Sequence, residues 1–470
     1  MKLPKQLRWT RLSRGALALL AVSPLVGQPS GGLHFSDAGQ FNGSVANGTA
    51  TGAKMRLSLQ DAIDLGIKNN LGILVRSSDA SSARIERMRA LSALLPNVNA
   101  GITENETQIS LSVYGFHFSG FPSIVGPFNY TDVRAYATAP FNWSSFKKLK
   151  AAAEDARAAE LSLNDGRDLV VQSVASGYVA ILAATARVEV TRDQIATAEI
   201  VVEGAHDAHA AGLVPAIEEL RAQVELKAQQ QRLLIAQNQV AKLKLVLARA
   251  IGLASGQDFE LSDKAPFSPL DNLSEADLLK RAYETRADYR SGEAQLRAAE
   301  ISREAAHAQR YPTGSLAANY GDIGPSLANS HGTFFVTGTL SFNLFDGGKI
   351  HADELASGNE ITRRRTDLQD LRGKIDFEVR SAVLDLRSAA DQVSLARSNV
   401  DLATQTLTQA RDRVKGGVAD NLEITQAQEA LAAASQDLIN GEFAHNLAKV
   451  ALARAVGGAE QALPQFLGSK

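Results

Sequence analysis

The chain carries two copies of one plan, and this duplication limits its fold more than any single motif does. Leu247–Gly252 (LARAIG) returns as Leu452–Gly457 (LARAVG), a shift of 205 residues. Ala211–Glu219 (AGLVPAIEE) returns at the same shift of 205 as Gly416–Ile424 (GGVADNLEI). Phe141–Lys148 (FNWSSFKK) pairs with Phe342–Lys349 (FNLFDGGK) at 201, and Leu59–Ala62 with Leu273–Ala276 at 214. Each half reads helix, strand, strand, long helix, turn, helix.

A heptad register runs through the helices. Val393, Ala396, Val400, Ala403, Leu407, Ala410 and Val414 are spaced alternately three and four apart, which draws one narrow apolar stripe. Their counterparts run from Val188 to His209, and the returning helix repeats the spacing from Ile424 through His445 to Ala455. Large and small residues alternate, so neighbouring helices can approach closely. His209 and His445 fall on these seams, where packing is favoured over metal ligation. The unbroken pattern over residues 147–210 predicts a helix of about 95 Å, longer than any compact domain. The shorter helices of the first half, at 58–93 and 214–251, must stack end to end to run beside it. Ser58 with Asp61 and Ser274 with Asp277 supply N-caps for the upper ones.

Period-two segments follow Pro96 and Pro312. Phe334, Val336, Gly338, Leu340 and Phe342 alternate with Thr337, Thr339 and Ser341, as Ala135, Ala137, Ala139 and Phe141 do with Arg134, Tyr136 and Thr138. Such a face suits a soluble core or a lipid-facing barrel wall. Helices this long leave no core to cover it, and Phe141, Trp143, Phe342 and Phe345 gather where the strands end, which favours lipid. Four strands cannot close a barrel, so several copies must share one. Tyr114–Tyr130, rich in aromatics, is expected as an outer loop.

Five cations precede the apolar run Gly15–Val26, the form of a secretory leader over residues 1–27. Removing it takes the formal charge from −2 to −7, with 44 basic residues against 51 acidic, which speaks against nucleic acid as a partner. Beyond the leader, no stretch looks long and apolar enough for a membrane-spanning helix. There is no cysteine, and no phosphate loop or HExxH motif; Asp346–Lys349 (DGGK) is a strand-to-helix turn. Neither an active site, a cofactor nor a metal is expected. The divisions are then a tail over 28–54, a first repeat over 55–252 (hairpin 97–143, tip turn 211–216), an equatorial connection over 253–272, a second repeat over 273–457 (hairpin 313–345, tip turn 416–421) and a C-terminal tail over 458–470.

Over residues 55–458 the tandem halves, the LLP and RYP entries into strands, the FNLFDGG exit and the AGL and GGV tip turns resemble the TolC-like outer-membrane efflux proteins. The resemblance implies an α+β membrane protein: a homotrimer whose long α-helical hairpins form an α-barrel reaching into the periplasm. Four β-strands per chain would form a 12-stranded barrel in outer-membrane lipid. It also implies a periplasmic adaptor and an inner-membrane pump as partners, in efflux or type I secretion. The adaptor would dock at Gly212, Leu213, Gly417 and Val418. The family's gate acids fall on Glu423 and on Gln426, so one acid survives, and its restraining Tyr and Arg fall on Val414 and Ala419. Glu218 is the repeat counterpart of Glu423. Three copies of Glu423 round a pore would repel one another and favour cations, while a solvated helix-surface glutamate is the plainer reading. A periplasmic adaptor or a coiled-coil scaffold are the rival functions; neither needs two hairpins that each follow a pair of alternating strands.

Overall fold

The computed structural model describes residues 43–116, 119–120, 122–263, 267–270, 274–416, 418 and 421–467, all within one unit, Phe35–Lys470. The expected leader and Gly417 lie outside the described residues. The elements are β1 (Met55–Leu57), α1 (Leu59–Asn69), α2 (Leu71–Ser92), β2 (Asn97–Ser110), β3 (Ile124–Phe141), α3 (Trp143–Ala210), α4 (Ala216–Ile251), β4 (Phe259–Leu261), α5 (Glu275–Thr285), α6 (Ala287–His307), β5 (Thr313–Gly324), β6 (His331–Ser341), α7 (Lys349–Lys415), α8 (Asn421–Val456) and α9 (Ala459–Leu467).

At 68 and 67 residues, α3 and α7 each span about 100 Å. The upper part of α3 packs against α2 and α6, with Ser291 donating to Ala158 O at 2.8 Å and Arg84 paired with Glu160 at 2.9 Å. Its lower part packs against α4 and α8. All seven stripe positions of α7 are buried or half-buried. In α3 the stripe holds from Val188 to Ala205 and fails at His209, which is exposed. One 18-residue window of α3 has a mean hydropathy of 1.7, apolar enough to cross a membrane, contrary to the sequence reading. It is 72% buried inside the protein, and Val170, Val174, Tyr178 and Ile181 make it a core segment.

The upper helices, expected to be continuous, break at Asn70 and at Arg286, both with extended backbone. The breaks turn side chains onto the last carbonyls of the lower helices, groups that a helix terminus leaves without partners. In the first half Asn69 Nδ2 donates to Ile251 O at 3.0 Å and Asn70 Nδ2 to Ala250 O at 3.4 Å. In the second, Thr285 Oγ1 donates to Val456 O at 2.6 Å and Arg286 Nη1 to Ala455 O at 3.2 Å. The repeated LARA(I/V)G motif is thus the lower half of a joint. Its glycines, with φ +76° at Gly252 and +86° at Gly457, sit where a Cβ would meet Asn69 Cβ at 2.6 Å and Arg286 N at 2.9 Å respectively.

Both expected tails are structured beyond the limits set for them. Residues 43–54 fall in the segment expected to be a flexible tail, yet Val45 N donates to Asn69 O at 2.9 Å and Asn47 N to Gly252 O at 3.1 Å, supplying donors to the joint. The chain then forms β1, which pairs in parallel with β4 of the equatorial connection. At the other end, α9 lies within the expected C-terminal tail. The Asp168 carboxylate accepts from Gly458 N and Ala459 N, and Ala459, Ala462 and Leu463 are buried.

The other sheet is antiparallel, in the order β2-β3-β5-β6. Its register puts Val98 opposite Ala137, Ala137 opposite Ala318 and Ala318 opposite Val336, and Ala135, Tyr320 and Phe334 make a second such row. Paired residues share a face, so the apolar sets of all four strands coincide. The other face holds Arg134, bonded to Asp132, Asn319 and Thr333. The expected outer loop is shorter than the sequence suggested: Ile124–Tyr130 belongs to β3 and pairs with β2, because β3 runs 18 residues.

The joint predicts a contrast among glycines. Gly252→Ala and Gly457→Ala should each cost about 2–4 kcal/mol, from positive φ plus overlap with the upper helix. Gly458→Ala, at φ +66° but in open space, should cost only about 1 kcal/mol. Urea unfolding of the three variants checks this, and equal losses would remove the joint's special role.

Candidate functional site

Two places carry the functional geometry: the sheet, and the hairpin tips at the far ends of α3 and α7. On the sheet, Val98, Ile102, Leu316, Tyr320, Phe334, Val336 and Leu340 are all exposed, as are Phe141, Trp143, Phe342 and Phe345 at the strand ends. From Phe334 to Leu340 the apolar row spans six residue steps, about 20 Å at the rise of a strand. That is most of the apolar band of about 25 Å on membrane barrels.

At the first tip, Leu213 N donates to Ala208 O at 2.8 Å and Gly212 N to His209 O at 2.9 Å, with Gly212 at φ +70°. This is a Schellman end, which needs a left-handed residue and so selects glycine. Pro215 then opens α4. The second tip repeats the outer bond, Val418 N to Arg413 O at 3.0 Å, 205 residues on. Leu213 is 78% exposed and Val418 73%. Two apolar side chains are thus held out at the turns.

The candidate gate residues sit just beyond these turns and are not brought together within the chain. Glu423 is ion-paired to Arg413 of α7, Nε to Oε1 3.2 Å, across its own hairpin. Glu218 pairs along α4 with Arg221 at 2.6 Å, and Gln426 is exposed. Sequence reasoning missed Arg413, and also the partner of His206, whose Nδ1 lies 3.0 Å from Glu219 Oε1 across the first hairpin. A usable signal existed: both pairs are near-reflections about a tip turn. The Glu219 carboxylate holds the His206 pKa above its ordinary value. That interaction is fully present below the unperturbed histidine value and is lost as pH rises through the elevated one.

A family model described as "Outer membrane efflux protein" matches residues 62–253 and 278–458. The chain belongs to the outer membrane efflux protein family. It is 25% identical over 336 residues to the pyoverdine export outer membrane protein OpmQ of Pseudomonas aeruginosa, covering 70% of this chain and 68% of that protein. To the toluene efflux pump outer membrane protein TtgC of Pseudomonas putida it is 23% identical over 418 residues, covering 85% and 83%. Its fold matches the outer membrane protein VceC of Vibrio cholerae with a TM-score of 0.70 at 20% identity, covering 85% of this chain and 96% of that one. The protein is an outer-membrane efflux channel that extends into the periplasm.

The channel's periplasmic wall contains one costly stretch of seam. On α8, Lys449 is 0% exposed and His445 1%, and neither Lys449 Nζ nor the His445 ring nitrogens have a hydrogen-bond partner among the described residues. Phe267 packs on the His445 ring at 4.6 Å. Burial lowers the Lys449 pKa to about 8, and burial with the nearby Lys449 charge lowers that of His445 to about 4. Neither histidine seam position gathers a metal set, and among the described residues no such cluster occurs.

A buried cation without a partner opposes folding. Lys449→Met should therefore raise unfolding stability by about 1–3 kcal/mol near neutral pH. In the wild type, stability should rise with pH from about 8 towards the ordinary lysine value, because there the unfolded chain holds the extra proton. Denaturant titrations across that window, which should be flat in the variant, measure both effects.

Proposed function

We propose that three copies of this channel close into a single passive conduit for small molecules across the outer membrane and periplasm. The observation that carries the reading is the sheet: four strands with one exposed apolar face and two unpaired edges, β2 and β6. Barrels need about eight strands or more, and open edges in lipid leave backbone groups without partners. A 12-stranded ring of three chains satisfies both demands. The helices support it, because the outer faces of α4 and α7 expose Val224, Leu234 and Leu245 and Leu384, Leu395 and Leu402, apolar surface suited to a neighbouring copy.

Just beyond the tip turns, Ile217, Leu220, Val224 and Leu422 line a groove of about 560 Å³. Such a surface suits the apolar stripe of an adaptor's helical hairpin. An inner-membrane pump would then select the cargo. OpmQ and TtgC are named for pyoverdine export and toluene efflux, which favours small molecules over secreted polypeptides. Glu423 is the gate acid in this reading, with Arg413 as its counter-charge; Gln426 and Glu218 have lesser roles there.

Replacing Gly212 or Gly417 with isoleucine should abolish export while detergent-extracted trimers still form. Monomers in the extract would sink the trimer, and undiminished export would sink docking at the turns. In planar-bilayer recordings, Glu423→Gln should lower cation preference and Arg413→Ala should raise it. Reversal potentials unchanged in both variants would remove Glu423 from the pore.

A further inference from the structure

A cavity of about 200 Å³ lies between the two hairpins, above the groove at the tips and walled by α3, α4, α7 and α8. Its floor includes Leu407 and Leu431, and Asp193, Glu225 and Glu429 stand round it. None of the described residues lining it is a lysine, arginine or histidine, and none of the three carboxylates has an ion-pair partner among the described residues. Two amides lining the cavity are incomplete. Gln229, only 6% exposed, donates through Nε2 to Glu225 Oε1 at 2.6 Å, which fixes its orientation and leaves Oε1 a buried acceptor with no partner. From α8, Gln428 Nε2 is a buried donor with none.

An orphaned buried group costs about 1–3 kcal/mol, so two in one cavity mark positions that a ligand would complete. Gln229 Oε1 requires a donor, and the carboxylates beside it favour one that carries positive charge. Gln428 Nε2 requires an acceptor, and the floor requires carbon between the two. The carboxylates do not converge as a metal set, and among the described residues no group of three ligands does. We propose that this cavity binds a short aliphatic amino alcohol, its ammonium on Gln229 Oε1 and the carboxylates, its hydroxyl accepting from Gln428 Nε2. A ligand there touches α4 and α8 at once, so it bridges the first hairpin to the second.

The test uses detergent-solubilised full-length channel and 4-aminobutan-1-ol as probe, with butane-1,4-diol as the uncharged isostere. Isothermal titration at low salt should give saturable binding of the amino alcohol and at least tenfold weaker binding of the diol. Gln229→Leu should weaken the amino alcohol at least tenfold. Glu429→Gln, a change at an exposed rim position that leaves folding intact, should weaken it severalfold and make binding less sensitive to salt. No saturable binding would mean that water alone fills the cavity and would overturn the proposal. So would equal binding of the diol, or an affinity untouched by both substitutions.

Discussion

The end-to-end joint between upper and lower short helices is the constraint on which the architecture rests. A helix of 68 residues has no stability of its own to spare, and must be packed along its whole length. Two shorter helices can do that only if the place where they meet leaves no bare carbonyls in a buried waist. The chain solves this twice with different chemistry. The first half uses two neutral amides, Asn69 and Asn70, with N–H groups from Val45 and Asn47 completing the cluster. The second uses Thr285 and a guanidinium, Arg286, which is 1% exposed.

A buried guanidinium is tolerable only with its charge matched, and this requirement organises the second joint. Arg286 pairs with Asp288 at 2.7 Å and Glu378 at 2.6 Å, so its proton is held more firmly than usual despite burial. Arg454 of the LARAVG motif links Asp165 on α3 to Asp288 on α6, and Arg76 on α2 reaches the same Asp165. Five helices from both repeats, α2, α3, α6, α7 and α8, therefore meet in one ionic network. Removing a single member would strand the others, whereas the amide joint of the first half stands on local bonds alone.

Periodic features were the legible part of the sequence. The heptad stripe of α7 and the alternation of β6 each repeat a residue choice many times, so one misplaced side chain does not hide the pattern. The joints were not legible, because a break at Asn70 or Arg286 violates no propensity rule; what selects it is a carbonyl about 180 residues away in the chain. The same holds for the segment before β1 and for α9, whose sequences are unremarkable until Asp168 and the joint supply partners. At the candidate gate, counting from the tip glycine located Glu423 but not Arg413, since a hairpin brings together residues reflected about its turn, a relation that matching by a fixed shift does not test.

The two tips show how duplication can hold a backbone fixed while its chemistry diverges. The bond from Leu213 N to Ala208 O and its counterpart from Val418 N to Arg413 O close both turns in the same way, so neither depends on the side chains that project from it. Those side chains are free to differ. Across the first hairpin the link is His206–Glu219, with a histidine that titrates; across the second it is Arg413–Glu423, with a guanidinium that stays charged. Alkaline conditions therefore loosen the first hairpin's clasp and leave the second's in place. In a ring of three such chains the weaker clasps would alternate with the stronger, and the hairpins beginning at α3 would be the ones able to yield first.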